Sequence, residues 1–135
     1  MINEVVIGIG SNIDPEGNVA SALELIGKYL TVDRRSRIIR TAPIGNPNQP
    51  DFLNCALLAR TRLEIDELKQ CLGRLEHDHL GREASQVKTS ARTIDLDIII
   101  WNGKIVHQDY RERRFLRELI SEILPPETIS RLEAV

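Results

Sequence analysis

The chain has 135 residues, 41% of them hydrophobic and 28% charged, which is typical of one globular domain spanning residues 1–135. Its net charge of −2 argues against a general nucleic-acid-binding protein. No apolar run is long enough to cross a membrane, and the short start with its acidic Glu4 does not fit a secretory signal, so we expect a cytoplasmic protein.

The hydrophobic pattern predicts strands and helices in a definite order. Extended strands are expected at residues 4–12, 32–44, 51–63 and 92–101, and helices at residues 18–30, 65–81, 115–124 and 125–135. Pro43 and Pro47 argue against a helix in and just after the second strand region. Gly81 is expected to end the helix predicted at residues 65–81. This order fits an α+β ferredoxin-like βαββαβ sandwich, a mainly antiparallel sheet with helices on one face and further C-terminal helices. The other face would need loops or a ligand to cover it.

Small residues occupy four positions within these apolar patterns. Cys55 and Cys71 are expected to be buried thiols in a reducing compartment rather than a disulfide or a metal site. Gly8 and Gly10 fall inside the first strand and do not open a helix, which argues against a phosphate-binding glycine loop. Close approach of backbone or ligand at the strand end explains these two glycines better.

Two aspartates interrupt the last predicted strand, in the sequence "RTIDLDIIIW". Because side chains alternate along a strand, Asp95 and Asp97 share one face. The opposite face, toward the helices, is expected to carry Ile94, Leu96, Ile98 and Ile100. Two carboxylates held about 4 Å apart at an effective dielectric of about 20 repel by roughly 4 kcal/mol, so a cation between them is favoured. Oxygen ligands with open positions suit Mg²⁺, which substrate phosphates commonly complete.

Cations surround this pair in the sequence. Arg82, Lys88 and Arg92 lie in or beside the polar loop that leads into the strand. Phosphoryl transfer requires carboxylates that bind a metal ion and basic side chains that bind phosphate oxygens. Arg92 stands only three residues before Asp95, so a plain ion pair is the open alternative.

The stretch "RTAPIGNPNQPDFLN", residues 40–54, predicts a stiff loop with a binding role. It presents backbone groups at residues 42–44 and then delivers Phe52 and Asn54 at the start of the next strand. A flat heteroaromatic ring needs such a set, an aromatic face and an amide for its edge. The alternative is that Phe52 is a core aromatic. Phe115, the other phenylalanine, follows the basic sequence "RERR".

Together the motifs "IGIGSN", "TAPIGNPNQPDFLN", "LGRE", "RTIDLDIII" and "RRFLRELISEILPPE" resemble those of 6-hydroxymethyl-7,8-dihydropterin pyrophosphokinases. Enzymes of this family move a pyrophosphoryl group from ATP to a pterin alcohol in folate biosynthesis. The resemblance covers nearly the whole chain, and the family's ferredoxin-like fold agrees with the predicted order of elements. It implies pterin and ATP as the binding partners, with no nucleic acid or membrane, and leaves the oligomeric state open.

The resemblance also implies a role for individual residues. Asp95 and Asp97 match the acids that hold two Mg²⁺ ions bridging the ATP phosphates. Arg82 and Arg92 match loop arginines that reach the phosphates during catalysis. The implied pterin-binding residues are Thr41, Ala42, Pro43, Ile44, Phe52, Asn54 and Phe115. The implied ATP-binding residues are Arg82, Arg92, Ile98 and Arg113.

The chain departs from the family pattern in three places. The segment between Trp101 and Phe115 is shorter and lacks a Pro-His pair, although it contains a histidine, His107. The loop after Arg82 has Ala84 and Thr89 where the family carries an arginine and a tryptophan. These two departures bear on the ATP clamp.

The third departure concerns "EHDHLGR", where Glu76 lies one residue earlier than the family's glutamate and His77 takes the expected spacing. His77 and His79 are two residues apart on a predicted helix, so they do not share a face and form a poor metal pair. Histidines near the end of a helix, where positive charge is favourable, are the simpler interpretation.

Three hypotheses stay open from the residues. The chain is an active pyrophosphokinase with a trimmed ATP lid, or a metal-dependent enzyme acting on a pterin or its phosphate ester without ATP, with His77 recruited. The third hypothesis is a pterin-binding protein without chemistry. The first predicts AMP release that depends on ATP and Mg²⁺, the second phosphate release without ATP, and the third pterin binding alone.

Overall fold

The computed structural model describes residues 1–79 and 94–134, without the side chains of residues 78 and 79. Its elements, in chain order, are β1 (Asn3–Ser11), α1 (Pro15–Tyr29), β2 (Thr31–Arg35), β3 (Ile39–Thr41), β4 (Phe52–Thr61), α2 (Ile65–Arg74), a π-helical turn (Leu75–His79), β5 (Asp95–Trp101), β6 (Lys104–Ile105), α3 (Asp109–Glu112), α4 (Arg114–Ile120) and α5 (Pro126–Glu133). Helix α1 begins three residues before the predicted helix because Pro15 fits the first turn, where its missing N–H is not needed.

The strands form one sheet in the order β2-β4-β1-β5-β6, and β3 pairs with β4 beyond the end of β2. Each pair in this sheet is antiparallel. The central strand β1 lies between β4 and β5, and the two strand-helix-strand halves interlock around it. This arrangement confirms the predicted α+β ferredoxin-like fold.

Helices α1 and α2 cover one face of the sheet and form the first cluster of buried side chains. The inward positions of β1 alternate, as expected for a strand with one face on a core. They meet helix residues spaced at three and four positions along the apolar stripe. The fully buried members include Val5, Ile7, Ile9, Val19, Ala22, Ile26, Leu68 and Leu72.

The C-terminal helices cover part of the opposite face and form the second cluster. Buried members include Val6, Ala56, Ile99, Tyr110, Leu116, Leu119 and Ile120. The expectation that loops or a ligand alone would cover this face was therefore wrong. The apolar stripes of α4 and α5 need a surface to bury against, and half of the sheet supplies it.

An irregularity in β5 changes which face its last residues occupy. Ile7 pairs with Ile98 and Val6 pairs with Ile100, so Ile99 is an extra residue opposite β1, as in a β-bulge. Ile100 consequently belongs to the second cluster. The prediction that Ile100 points with Ile98 toward α1 and α2 was wrong, because strict alternation stops at the bulge.

Both cysteines are buried free thiols, as predicted. Burial raises the pKa of Cys55 to about 11, so this thiol stays protonated at neutral pH and is a poor nucleophile. Within residues 1–79 and 94–134, none of the helices combines the length and the apolar character needed to cross a bilayer.

Candidate active site

A cavity of about 210 Å³ lies over the end of β1, between the loop that precedes β4 and the start of the C-terminal helices. Its described lining residues are Gly8, Ile9, Gly10, Thr41, Ala42, Ile44, Phe52, Asn54, Cys55, Asp95, Asp97, Ile99, Asp109, Arg113, Phe115 and Leu116. The cavity thus brings together most of the residues singled out from the sequence. Among the described candidates, Pro43 and Ile98 do not line it, and the Ile98 side chain lies in the first cluster.

The two aspartates of β5 lie on the cavity face, as their spacing predicts. Gly10 pairs with Asp95 and Gly8 with Asp97, so the neighbouring positions on β1 carry no side chain that would crowd the carboxylates. Both acids are partly exposed, and the Asp97 side chain retains 44% of its accessible surface. Adjacent carboxylate oxygens with access to solvent are a donor set that fits Mg²⁺, which keeps part of its water shell.

The amide of Asn54 is held against the floor of the cavity. Its Nδ2 donates to Thr41 Oγ1 at 2.6 Å, which ties β4 to the end of β3. A Cβ added at Gly10 would lie 2.9 Å from Asn54 Oδ1, closer than a real Cβ approaches an oxygen. Gly10 is therefore required by the close approach of a neighbouring side chain, which supports the sequence-based explanation of this glycine.

Two aromatic rings reach the same cavity from different elements. Phe52 begins β4, and Phe115 is the second residue of α4. Both are half-buried and line the cavity, so each keeps ring surface that a ligand can cover. Phe52 is therefore not a fully buried core residue, which was the alternative from the sequence.

Sequence reasoning missed the residue that anchors the loop before β4. Asn12 is 2% exposed, and its Nδ2 donates to Gln49 Oε1 at 3.2 Å and to the Pro50 carbonyl at 3.3 Å. These bonds join the end of β1 to a loop more than thirty positions further along the chain. A buried asparagine after a strand was the available signal, but its partners could not be read from the sequence.

Beside Asp97, the chain places His107 and Asp109, neither of which the sequence assigned to the site. His107 Nε2 lies 3.9 Å from Asp97 Oδ1, and one ligand atom from each of the three residues falls within 4.8 Å of the others. His107 Nδ1 accepts the backbone N–H of Asp109 at 3.0 Å. A neutral imidazole in this arrangement carries its proton on Nε2, so it presents a donor toward Asp97 rather than a metal ligand.

Asp109 also orients a cation at the cavity wall. Arg113 Nε lies 4.0 Å from Asp109 Oδ1, one helical turn away. Arg113 is about one-third exposed and lines the cavity, so its guanidinium is available to an anionic ligand there. The pattern His-x-Asp followed by arginine was the sequence signal that could have found this wall.

The end of α2 lies beside the start of β5. Glu76 Oε2 accepts the backbone N–H of Leu96 at 2.8 Å. Residues 75–79 form a π-helical turn, which holds more residues per turn than an α-helix and so accommodates the unusual spacing of Glu76. His77 is exposed and is not among the described residues that line the cavity, and its suggested recruitment stays a prediction.

Several residues singled out from the sequence lie outside the described residues. They are Gly81, Arg82, Ala84, Lys88, Thr89 and Arg92, and the same holds for the side chain of His79. The roles assigned to Arg82 and Arg92 remain predictions.

Residues 6–125 match the 7,8-dihydro-6-hydroxymethylpterin-pyrophosphokinase family. The chain belongs to this family. A curated relative from Bacillus subtilis (strain 168), named 2-amino-4-hydroxy-6-hydroxymethyldihydropteridine pyrophosphokinase, is 34% identical over 134 residues, covering 91% of this chain and 79% of the relative. The protein of that name from Campylobacter jejuni is 29% identical over 128 residues, covering 89% of this chain and 78% of the relative.

Longer relatives contain the same region. A protein from Arabidopsis thaliana named "Folate synthesis bifunctional protein" is 34% identical over 137 residues, covering 93% of this chain. Only 28% of that plant protein is matched, and 25% of a mitochondrial counterpart from Pisum sativum. The chain thus spans about a quarter of the length of these plant relatives.

Proposed function

We propose that this chain transfers pyrophosphate from ATP to 6-hydroxymethyl-7,8-dihydropterin, a Mg²⁺-dependent step of folate biosynthesis. The observation that carries the proposal is that one cavity contains both the paired carboxylates of β5 and a wall of two half-buried aromatic rings and an amide. Membership of the pyrophosphokinase family and the names of the relatives agree with it. Because ATP and a reducing environment for two free cysteines are both found in the cytoplasm, we place the reaction there.

The aromatic wall suits the pterin. Phe52 and Phe115 offer ring faces to a flat heteroaromatic system, and Asn54 offers an amide to its edge. Backbone groups of Thr41, Ala42, Pro43 and Ile44 complete the proposed pterin site. The bond from Asn54 to Thr41 leaves Asn54 Oδ1 able to accept a further donor, such as a ring N–H.

The acidic wall suits MgATP. Asp95 and Asp97 would hold two Mg²⁺ ions, which would neutralise negative charge on the ATP phosphates. Arg113 lines the same cavity as a cation for ATP, and His107 Nε2 lies 3.9 Å from Asp97 Oδ1. Arg82 and Arg92 are proposed to reach the phosphates, and Ile98 to contact the nucleotide through its backbone, because its side chain lies in the core.

The chain's contribution to the reaction is positioning and electrostatic stabilisation. The hydroxymethyl oxygen of the pterin attacks the β-phosphorus, forming an O–P bond. The bond from that phosphorus to the α,β-bridging oxygen breaks, AMP leaves with the electron pair, and the hydroxyl proton passes to solvent. Arg82 and Arg92 stabilise the negative charge that develops on the transferring group, and no general base is required from the described residues.

The test is to incubate the purified chain with ATP, Mg²⁺ and 6-hydroxymethyl-7,8-dihydropterin and to measure AMP. We expect AMP that depends on all three. The variant Asp97→Asn should reduce the rate by roughly 10²–10³-fold, as for other losses of transition-state electrostatics, without lowering the unfolding temperature. Asp33→Asn is the matched control, since Asp33 is an acid on β2 paired with Arg60 away from the cavity.

Each alternative function predicts a different result in this assay. Phosphate release without ATP would replace the proposal with a pterin-phosphate hydrolase, and pterin binding without any product would replace it with a binding protein. Full activity of Asp97→Asn would show that the metal role of this residue is wrong.

A further inference from the structure

Within the part of the chain that the structure describes, a side chain instead of a strand meets the outer edge of β5 beside the two acids. On one edge β5 pairs with β1 from Asp95 to Trp101, whereas on the other edge the described strand β6 pairs with Ile100 and Trp101. Leu96, which lies between the acids, donates its backbone N–H to Glu76 Oε2 at 2.8 Å. Glu76 therefore supplies the acceptor that a further strand would otherwise provide.

The position of Glu76 is itself fixed by packing. The preceding residue, Leu75, is 2% exposed and belongs to the first cluster together with Leu72 of α2. Glu76 is partly buried within the π-helical turn that follows this anchor. A carboxylate attached to a packed turn is a fixed acceptor, and a charged acceptor forms a stronger bond than a neutral one.

We propose that Glu76 is a positioning residue for the metal-binding acids of β5. Glu76 is not among the described residues that line the cavity, and it acts through the backbone between Asp95 and Asp97. Two like charges at the beginning of an edge strand favour fraying of that end, and the bond from Leu96 opposes it. The inference rests on the proposed function, because it assigns Glu76 to the Mg²⁺ dependence of that reaction.

The experiment compares Glu76→Leu, Glu76→Asp and Glu76→Gln. In the metal-free protein, hydrogen exchange of the Leu96 amide is measured by NMR. We expect exchange in Glu76→Leu to accelerate by on the order of tenfold or more, because the bond is lost. Glu76→Gln should exchange somewhat faster than the parent protein but much more slowly than Glu76→Leu, since its neutral side-chain oxygen accepts the same bond less strongly. Glu76→Asp should exchange faster than Glu76→Gln because its shorter side chain does not reach.

The second readout is the Mg²⁺ concentration that gives half-maximal AMP formation at saturating ATP and pterin. It should rise roughly tenfold in Glu76→Leu, as for other changes one shell away from a metal, and much less in Glu76→Gln. Glu118→Leu is the matched control, since Glu118 lies on the surface of α4 in an ion pair with Arg114. The control should leave both readouts unchanged.

The proposal is overturned if Leu96 exchange is unchanged in both Glu76→Leu and Glu76→Asp. It is equally overturned if exchange accelerates while the Mg²⁺ dependence stays the same, or if Glu76→Gln is as impaired as Glu76→Leu. Should Glu76→Leu fail to fold, Glu76→Asp against Glu76→Gln decides the outcome. Absence of AMP from the parent protein would instead count against the proposed function, and the exchange measurement would still judge the bond.

Discussion

At the scale of single residues, the cavity depends on two glycines without side chains as much as on the side chains that line it. Gly8 and Gly10 pair with Asp97 and Asp95, and they leave room for side chains from other strands. The sequence located these glycines and the acids, because alternation along a strand is a local property. It could not locate the contacts of Asn12 and Glu76, because their partners are far apart in the chain and meet only after folding.

Gly10 provides a direct test of this crowding. In Gly10→Ala the new Cβ should displace the Asn54 amide and break its bond to Thr41, so we expect the KM for the pterin to rise roughly tenfold, as for loss of one buried hydrogen bond. The KM for ATP should change little. Steady-state kinetics with each substrate varied in turn would measure the split.

Gly27→Ala is the control for this substitution. Gly27 lies within α1, and a Cβ there meets no atom within 4 Å. Alanine should stabilise the helix by about 0.5–1 kcal/mol without changing either KM. A normal pterin KM in Gly10→Ala would show that Asn54 does not bind the pterin in the position described.

At the scale of elements, the C-terminal helices carry the wall that faces the acids. Tyr110 of α3 is 2% exposed, and its hydroxyl donates to Glu133 Oε2 of α5 at 2.7 Å. Arg117 of α4 donates to the carbonyl oxygens of Tyr110 and Arg111, which holds the end of α3. Asp109 and Arg113 therefore lie on a segment that two further helices hold in place.

Tyr110 makes this assembly sensitive to alkaline pH. Burial, with the bond to the Glu133 carboxylate and despite the nearby charges of Arg117 and Arg111, raises the pKa of Tyr110 to about 12. An unfolded tyrosine titrates near 10, so its contribution is fully present below that pH and is lost as the pH rises toward 12. We expect the parent protein to lose about 2 kcal/mol more than Tyr110→Phe between pH 9 and pH 12.

Urea unfolding at a series of pH values would measure this difference. Tyr29→Phe is the control, since Tyr29 is 54% exposed at the end of α1. It should follow the parent protein over the whole range. An identical alkaline loss in Tyr110→Phe and the parent protein would show that Tyr110 does not cause the loss.

At the scale of the whole molecule, one sheet supports two buried clusters on its two faces. The order of strands and helices, and hence the α+β ferredoxin-like fold, followed from hydrophobic periodicity, because each half of the chain repeats the same strand-helix-strand pattern. The packing of the C-terminal helices against the second face of the sheet could not be predicted from this periodicity. Short helices at the end of a chain have no sequence feature that indicates which surface they pack against.

The two clusters should unfold together. Leu119→Ala, a fully buried change in the second cluster, should lower the free energy of unfolding by about 2–4 kcal/mol. Trp101 is the only tryptophan, and it packs against the first cluster, so its fluorescence reports the other face. We expect fluorescence and far-ultraviolet circular dichroism to shift to the same lower urea midpoint.

Ile38→Ala is the control for this change, because Ile38 is 41% exposed. It should move neither midpoint appreciably. A fluorescence midpoint that stays in place while the dichroism shifts would contradict a single cooperative unit and would indicate that the C-terminal helices detach first.

The extra residue at Ile99 allows this strand to lose one position during evolution. Removal of Ile99 would restore regular alternation from Asp97 to Trp101, because Ile98 and Ile100 already pair with the consecutive residues Ile7 and Val6. The carboxylates would keep the cavity face, and the indole would stay packed against the first cluster. Loss of a second position would move one end of the strand to the opposite face, so further changes of length that preserve catalysis should accumulate after residue 101.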